Sequence, residues 1–211
     1  MTIDIAVATA HLAEHDPVMA RLISDHPAPI FEKHPHYYRE LMSSIISQQL
    51  SVKAAATIEQ RFVGLFGHFP LPEEVLGTSI EEMRSIGLSR QKASYIIAIA
   101  EHARDFPDAF LKLDTLENED IIRELTAIKG VGVWTVHMFL MFCIARLDVL
   151  PSGDLGIKRA IERAYDLPLL PTPEQVEALA LQRNWHPYAS VASRYLWLSL
   201  DNTPVSSTTD K

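Results

Sequence analysis

The chain is predicted to be all-α, on three observations. Apolar residues recur at three- and four-residue spacings through most of its 211 residues, the period of a helix with one buried face. Helix-start signals recur along the chain: Ser79 with Glu82, Ser89, Asn118, Asp154, and Thr172 with Gln175. Each offers a side-chain oxygen to the free N–H groups of a first turn. No stretch alternates apolar and polar residues convincingly enough to read as a strand. The expectation is about ten helices with no repeat of fixed length.

In order along the chain, residues 5–14 and 17–24 read as short helices, punctuated by Pro17 and Pro27, because proline breaks the helical ladder. Residues 27–35 read as a loop. Leu41, Ser44, Ile45 and Gln48 share a helical face in 37–47, and Val52, Ala55, Ala56, Ile58, Phe62 and Phe66 share one in 51–66. A turn is expected over 67–72. The Ser79–Glu82 capping box opens a short helix that ends at Gly87, a residue suited to a left-handed stop. Ser89 caps 90–105, and Asn118 opens a helix through Ile128. A hairpin at 129–133 leads into a strongly apolar helix, 134–145. Pro151 stops the chain, and Asp154 caps 155–165. After a proline-rich loop at 167–173, Thr172, Pro173 and Gln175 start another helix. The last runs over 187–200, and the polar stretch 205–211 is expected to be disordered.

Bulk composition narrows the function. Hydrophobic residues are 47% and charged residues 22% of the chain, an ordinary globular balance with enough chain to bury a core. No apolar run approaches the ~20 residues that span a bilayer. The N-terminal segment has no basic start leading into an apolar stretch, so no secretory leader is expected. A single cysteine, Cys143, excludes an internal disulfide and a four-cysteine metal site, and suits a reducing, intracellular compartment. The nine histidines read as solvated or core side chains rather than ligands. The net charge of -8 counts against nonspecific DNA binding, which draws on Lys and Arg. However, Lys158, Arg159 and Arg163 cluster in a locally basic stretch at 153–163.

The most informative segment is Leu125-Thr126-Ala127-Ile128-Lys129-Gly130-Val131-Gly132-Val133-Trp134-Thr135. Two helices meet at a Gly-apolar-Gly turn. Gly130 and Gly132 permit positive φ and close approach of another molecule. Val131 can plug the angle between the helices while Leu125 and Ile128 pack one on the other. The second helix begins at the turn, so its first N–H groups form an anion site suited to a nucleic-acid phosphate without needing net positive charge. The same pattern also suits an ordinary corner that needs glycine to turn. Asp154, after Pro151-Ser152-Gly153, suits a plain helix N-cap, a role compatible with keeping a carboxylate charged for chemistry.

Together, Ile128-Lys-Gly-Val-Gly-Val-Trp-Thr135, Leu150-Pro-Ser-Gly-Asp154-Leu-Gly-Ile-Lys158 and the upstream Ile45-Ile-Ser-Gln48-Gln49-Leu50-Ser51 resemble the helix-hairpin-helix (HhH-GPD) DNA glycosylases. Among these, they look like the 3-methyladenine DNA glycosylase II type in its compact form. The resemblance implies an all-α fold of two helical subdomains, 38–150 with the hairpin and 1–37 plus 151–204, with the active-site cleft between them. It implies a monofunctional N-glycosyl hydrolase of base excision repair. Such an enzyme flips alkylated purines (3-methyladenine, 7-methylguanine, etheno-adenine) out of double-stranded DNA and removes them.

Asp154 matches the family's catalytic aspartate, an anion beside a sugar that becomes an oxocarbenium ion. It could also activate water. Bifunctional members carry a lysine two residues after the second hairpin glycine for Schiff-base chemistry; here that residue is Trp134. Trp134 and Tyr188 match aromatic walls of a base pocket that stack on a cationic base, although Trp134 could equally be core. Gln49 matches the wedge that fills the gap left by the flipped base, and Gln48 stands beside it. Gly130, Val131, Gly132, Thr135 and Lys158 are the further expected DNA contacts. No cofactor is expected to be required. The carbonyls of Thr126, Ile128 and Val131 are expected to hold a monovalent Na+ or K+ against a phosphate. Trp185 is expected to pack the subdomain, and Phe31 and Tyr38 could line the cleft, although single aromatics of this kind are usually core. The expected partner is damaged DNA, with no membrane, and the chain is expected to act as a monomer in a bacterial cytoplasm at the nucleoid or in a eukaryotic nucleus. Three alternatives remain: a bifunctional or mismatch glycosylase of this fold, a non-catalytic DNA-binding module, and an interaction domain that never meets DNA.

Overall fold

The computed structural model describes residues 2–200; the stretch 205–211, expected to be disordered, lies outside them. The described residues form twelve α-helices and a short antiparallel β-pair. In chain order these are β1 (Thr2–Ile3), α1 (Ala6–His15), α2 (Pro17–Asp25), β2 (Phe31–Glu32), α3 (Tyr37–Ser47), α4 (Val52–Phe66), α5 (Pro72–Leu76) and α6 (Ile80–Ser85). Then come α7 (Arg90–Asp105), α8 (Asn118–Thr126), α9 (Val133–Phe142), α10 (Leu155–Ala164), α11 (Pro173–Gln182) and α12 (Ala189–Leu200). A single 3-10 turn, Leu113–Thr115, precedes α8. The chain divides into two compact units, one from the first 33 residues and from Ala145 onward, the other His34–Ile144. These boundaries lie a few residues before those the resemblance implies.

In the first unit, β1 and β2 pair Thr2 with Glu32 and Ile3 with Phe31. This corrects the expectation of a plain loop over 27–35. Two-residue strands are too short to show a period of two, so their sequence carries no strand signal. The core gathers Leu12, Met19, Phe31, Ile157, Ile161, Trp185, Tyr195 and Leu196. At its centre is Asp16, wholly buried. Its carboxylate caps α2 by accepting the Val18 N–H at 2.9 Å. It also accepts the Trp185 Nε1–H at 2.9 Å and the Tyr165 hydroxyl. Burial raises the Tyr165 pKa, and the bond to Asp16 raises it further. Trp185 packs the unit as expected, with no exposed surface.

In the second unit, Ser51, Ser79 and Ser89 each cap their helices, and Ser79 with Glu82 completes the anticipated box. Gly87 takes φ 105°, the left-handed stop read from the sequence. The turn expected over 67–72 instead leads directly into α5. That helix lacks the usual Ser, Thr, Asp or Asn start; the Glu74 carboxylate accepts the Leu71 N–H at 2.8 Å and does the capping. The bond holds Glu74 below the usual glutamate range, with His68 adding to the effect. The long α7 buries Ala93, Ile96, Ile99 and Ala100 and packs on α3, α5 and α6. Tyr38 joins an aromatic group with Phe69 and Phe110, so it and Phe31 are core. Burial pushes the Cys143 thiol up to about 12, which keeps it protonated and unreactive near neutral pH.

Removing the Asp16 carboxylate would strand the Trp185 N–H and the Tyr165 hydroxyl in an apolar core. Asp16→Ala is therefore expected to cost about 3 kcal/mol, lowering Tm by roughly 6–12 °C in a chain of this size. Differential scanning calorimetry checks this; an unchanged Tm would mean the network contributes nothing.

Candidate functional site

The hairpin is built as its sequence suggests, with one exception. α8 ends at Thr126, and α9 starts from Gly132. Leu125, Ile128 and Val131 are buried, so Val131 plugs the corner. Gly130 has φ 91°, and a Cβ there would come within 2.1 Å of the Tyr95 ring carbon Cγ. It must be glycine both for its backbone angle and for room. Gly132 differs: its φ is -93° and ψ 165°, extended backbone open to any residue. This corrects the expectation that both glycines serve positive φ. A Cβ at Gly132 would meet nothing within 4 Å, so nothing inside the unit requires glycine there.

No side chain caps α9. Its first backbone hydrogen bond runs from the Val136 N–H to the Gly132 carbonyl, so the amides before it form the positive end of a helix dipole. The hairpin is expected to offer such amides to an anion.

A cation held by the corner carbonyls is compatible with the local bonding. Among the described residues, the backbone N–H that the Ile128 carbonyl accepts is that of Val131, at 3.1 Å, and a carbonyl has a second lone pair. Among the described residues, no backbone N–H bonds to the carbonyls of Thr126 or Val131. The three oxygens suit a hard monovalent ion. Among the described residues, no group of three histidine, cysteine, aspartate or glutamate side chains could hold a metal.

Beside the hairpin, in the same unit, lies a cavity of about 540 Å³, in the range of ligand sites. Trp134 and Met138 give it an apolar wall; Ser44, Gln48, Gln49 and Thr135 supply polar groups. Trp134 is 51% exposed, which rules out the alternative of a core tryptophan within its unit. Thr135 is buried, and its hydroxyl accepts the Gln48 Nε2–H at 3.2 Å. Its side chain thus holds Gln48 in place.

Gln49 is exposed and sits in the left-handed region at φ 58°, a conformation that costs a non-glycine residue about 1 kcal/mol. It is held there by its neighbours. Lys92 of α7 donates to the carbonyls of Ile46 at 2.7 Å and Gln48 at 2.6 Å. It thereby satisfies the open end of α3. Burial pulls its ammonium below the usual lysine range.

In the other unit, Asp154 begins α10, with Oδ1 accepting the Ile157 N–H at 2.9 Å, as its sequence context suggests. The same oxygen accepts the Trp197 Nε1–H of α12 at 3.0 Å. Tyr188 is half-buried, with the His11 ring edge-on at 5.2 Å. Lys158, expected on DNA, lies near Glu174, whose proton it helps to release, after the larger effect of Thr172.

Lys92, Tyr95 and Trp197 had no signal in the sequence, because each acts through a distant partner. Gly156, a glycine inside a helix two residues past its cap, could have been noticed.

The sequence pattern of HhH-GPD superfamily base excision DNA repair proteins matches residues 42–187. The chain belongs to this superfamily. DNA-3-methyladenine glycosylase 1 of Schizosaccharomyces pombe is 38% identical over 163 residues, covering 76% of this chain and 71% of that protein. A Bacillus subtilis relative is 33% identical over 187 residues, and the match spans 64% of its length. Among solved structures, the S. pombe 3-methyladenine DNA glycosylase in complex with abasic DNA is similar, with a TM-score of 0.81 and 33% identity. That match covers 94% of this chain and 98% of that one. A DNA-3-methyladenine glycosidase from Bacillus halodurans has a TM-score of 0.81 and 32% identity, covering 94% of this chain and 92% of its own. These superfamily relatives match the helical fold read from the sequence, and no described helix is long and apolar enough to cross a membrane.

Two tests follow from the hairpin and its neighbour. Gly130→Ala forces a methyl group into the Tyr95 ring and is expected to cost about 3 kcal/mol, seen as a Tm fall of roughly 6–12 °C. Gly132→Ala should leave Tm within about 2 °C but weaken binding to an abasic-site duplex about fivefold, the value of one hydrogen bond. Fluorescence anisotropy measures it, and undiminished affinity would remove α9 from the interface. Gln49→Gly relieves a left-handed side chain and should stabilise the fold by about 0.5–1 kcal/mol. It should also slow base release from a duplex more than from a single strand, where there is no gap to fill. Equal rates with wild type on duplex would end the wedge assignment.

Proposed function

We propose that this chain is a monofunctional DNA glycosylase that hydrolyses the N-glycosidic bond of alkylated purines in duplex DNA and leaves an abasic site. The observation that carries the proposal is Trp134. It stands where bifunctional relatives place a nucleophilic lysine, and it is an exposed aromatic wall of a cavity. The two S. pombe and B. halodurans relatives bear names of 3-methyladenine glycosylases, which supports this substrate class.

The uncapped amides of α9 hold a backbone phosphate, and the carbonyls of Thr126, Ile128 and Val131 would hold a Na+ or K+ that adds positive charge there. The target base turns out of the helix and Gln49 fills its place. Trp134 stacks on the base, whose positive charge favours an aromatic face. Alkylation has already made the purine a good leaving group, so the enzyme need not protonate it strongly. As the bond to the base lengthens, C1′ of the sugar becomes cationic. Asp154 stabilises that cation and accepts a proton from the water that attacks C1′. The products are a free base and a sugar with a hydroxyl at C1′. The chain works as a monomer wherever its genome lies.

Asp154→Asn keeps the helix cap, since Asn caps as well as Asp, but removes the anion. The single-turnover rate of base release from methylated DNA, followed by mass spectrometry, is expected to fall roughly 100-fold or more with Tm unchanged. Borohydride should trap no covalent complex. Wild-type rates in the Asn variant would overturn the catalytic assignment, and a trapped complex would overturn the water mechanism.

A further inference from the structure

We propose that Trp197 is a positioning residue for the reaction, and that Gly156 exists to admit its indole to Asp154; this rests on Asp154 being the catalytic carboxylate. Three features of one unit converge on this contact. First, the cap needs of α10 are met locally: the Ile157 N–H bonds to Asp154 Oδ1 at 2.9 Å. The Trp197 Nε1–H reaches the same oxygen at 3.0 Å from another helix, 43 residues along the chain. The helix end does not need this second donor, but the carboxylate gains from it.

Second, Gly156 sits at the second position of α10, where glycine costs up to about 1 kcal/mol relative to alanine. Its φ is not left-handed, so conformation does not require glycine. Space does. A Cβ at Gly156 would lie 3.0 Å from Asp154 Oδ1, 3.0 Å from Trp197 Nε1 and 3.1 Å from Trp197 Cδ1. Even a methyl there is a tight contact, so the indole or the carboxylate must give by a few tenths of an ångström to admit it. Third, Trp197 is half-buried and packed on the core of its unit, so the donor is carried on a rigid ring.

The physical gain is preorganisation. An anion stabilises a developing cation in inverse proportion to their separation, and it does so most when it is fixed before the charge appears. Two donors from different helices, the Ile157 amide of α10 and the Trp197 indole of α12, converge on Oδ1 and hold that oxygen in place.

The test combines single-turnover kinetics on methylated duplex DNA with a double-mutant cycle. Trp197→Phe keeps the ring and removes the donor, and Gly156→Ala blocks the approach from α10. Each is expected to lower the maximal rate at saturating enzyme by roughly tenfold, the worth of a hydrogen bond to a charged group. The half-saturating concentration should be unchanged, because DNA binding is not involved. In the Asp154→Asn background, Trp197→Phe should have less than about a twofold effect. A wild-type rate in Trp197→Phe, or the same tenfold loss with and without Asp154, overturns the proposal. Should Trp197→Phe unfold, the indole N–H resonance of Trp197 in otherwise intact protein decides. It must shift when Asp154→Asn is introduced, and a fixed resonance overturns the contact. Asp154→Asn with full activity would instead sink the catalytic assignment itself, an outcome separate from failure of Trp197 alone.

Discussion

Lys92 and Tyr95 stand one turn apart on α7, and the shape of the whole second unit's candidate DNA face depends on them. Lys92 ties down the carbonyls that end α3, which places Gln49 at an exposed apex in a conformation it would not choose alone. Tyr95 lies against the bare α-carbon of Gly130, which sets the corner from which α9 starts. Residues three apart on a helix share a face, so one rigid rod fixes both the candidate wedge and the candidate phosphate clamp. Thr135 links the two by holding Gln48. The spacing of these groups is therefore a property of α7 rather than of either loop, and loops held this way can display strained residues without paying disorder.

That arrangement bears on how an acidic chain would meet the polyanionic partner proposed for it. With a net charge of -8, the protein cannot rely on a broad cationic surface. Main-chain amides at a helix start carry partial positive charge that does not appear in a count of ionisable residues. Gly132 is open space at this start, so a bulky anion meets backbone rather than a side chain. A site of this kind favours a specific geometry over a loose electrostatic film.

The other unit shows carboxylates used in two ways. Asp16 is sealed in the core, with its oxygens shared among a helix start, a tryptophan and a tyrosine. It organises packing. Asp154 also caps a helix and also accepts from a tryptophan, yet it lies only partly buried, as the carboxylate proposed for the chemistry must. The two carboxylates have similar local bonding and differ in access: Asp16 is sealed and Asp154 is not. A helix cap also fixes a carboxylate's position, since the first-turn amide holds one of its oxygens.

Local signals determined most of the helices. Caps at Ser79, Ser89, Asp154 and Thr172, and the left-handed stop at Gly87, act over three or four residues, so they are written in consecutive letters of the chain; Asn118 opens α8 as expected but as its first helical residue, after Glu117, and no side chain caps that helix. The hairpin, Asp154 and the glutamine pair were legible for the same reason. The sequence did not reveal α5, whose cap is a glutamate inside the helix rather than a residue before it, or the β1–β2 pair, whose strands are too short to show a period. Nor did it separate Gly130 from Gly132. The two look alike in the sequence, and only the Tyr95 ring against one of them and open space beside the other give them different roles. Lys92, Tyr95 and Trp197 were likewise decided by tertiary structure alone. Each acts on a residue dozens of positions away, and a contact made by folding leaves no pattern in the order of the residues that make it.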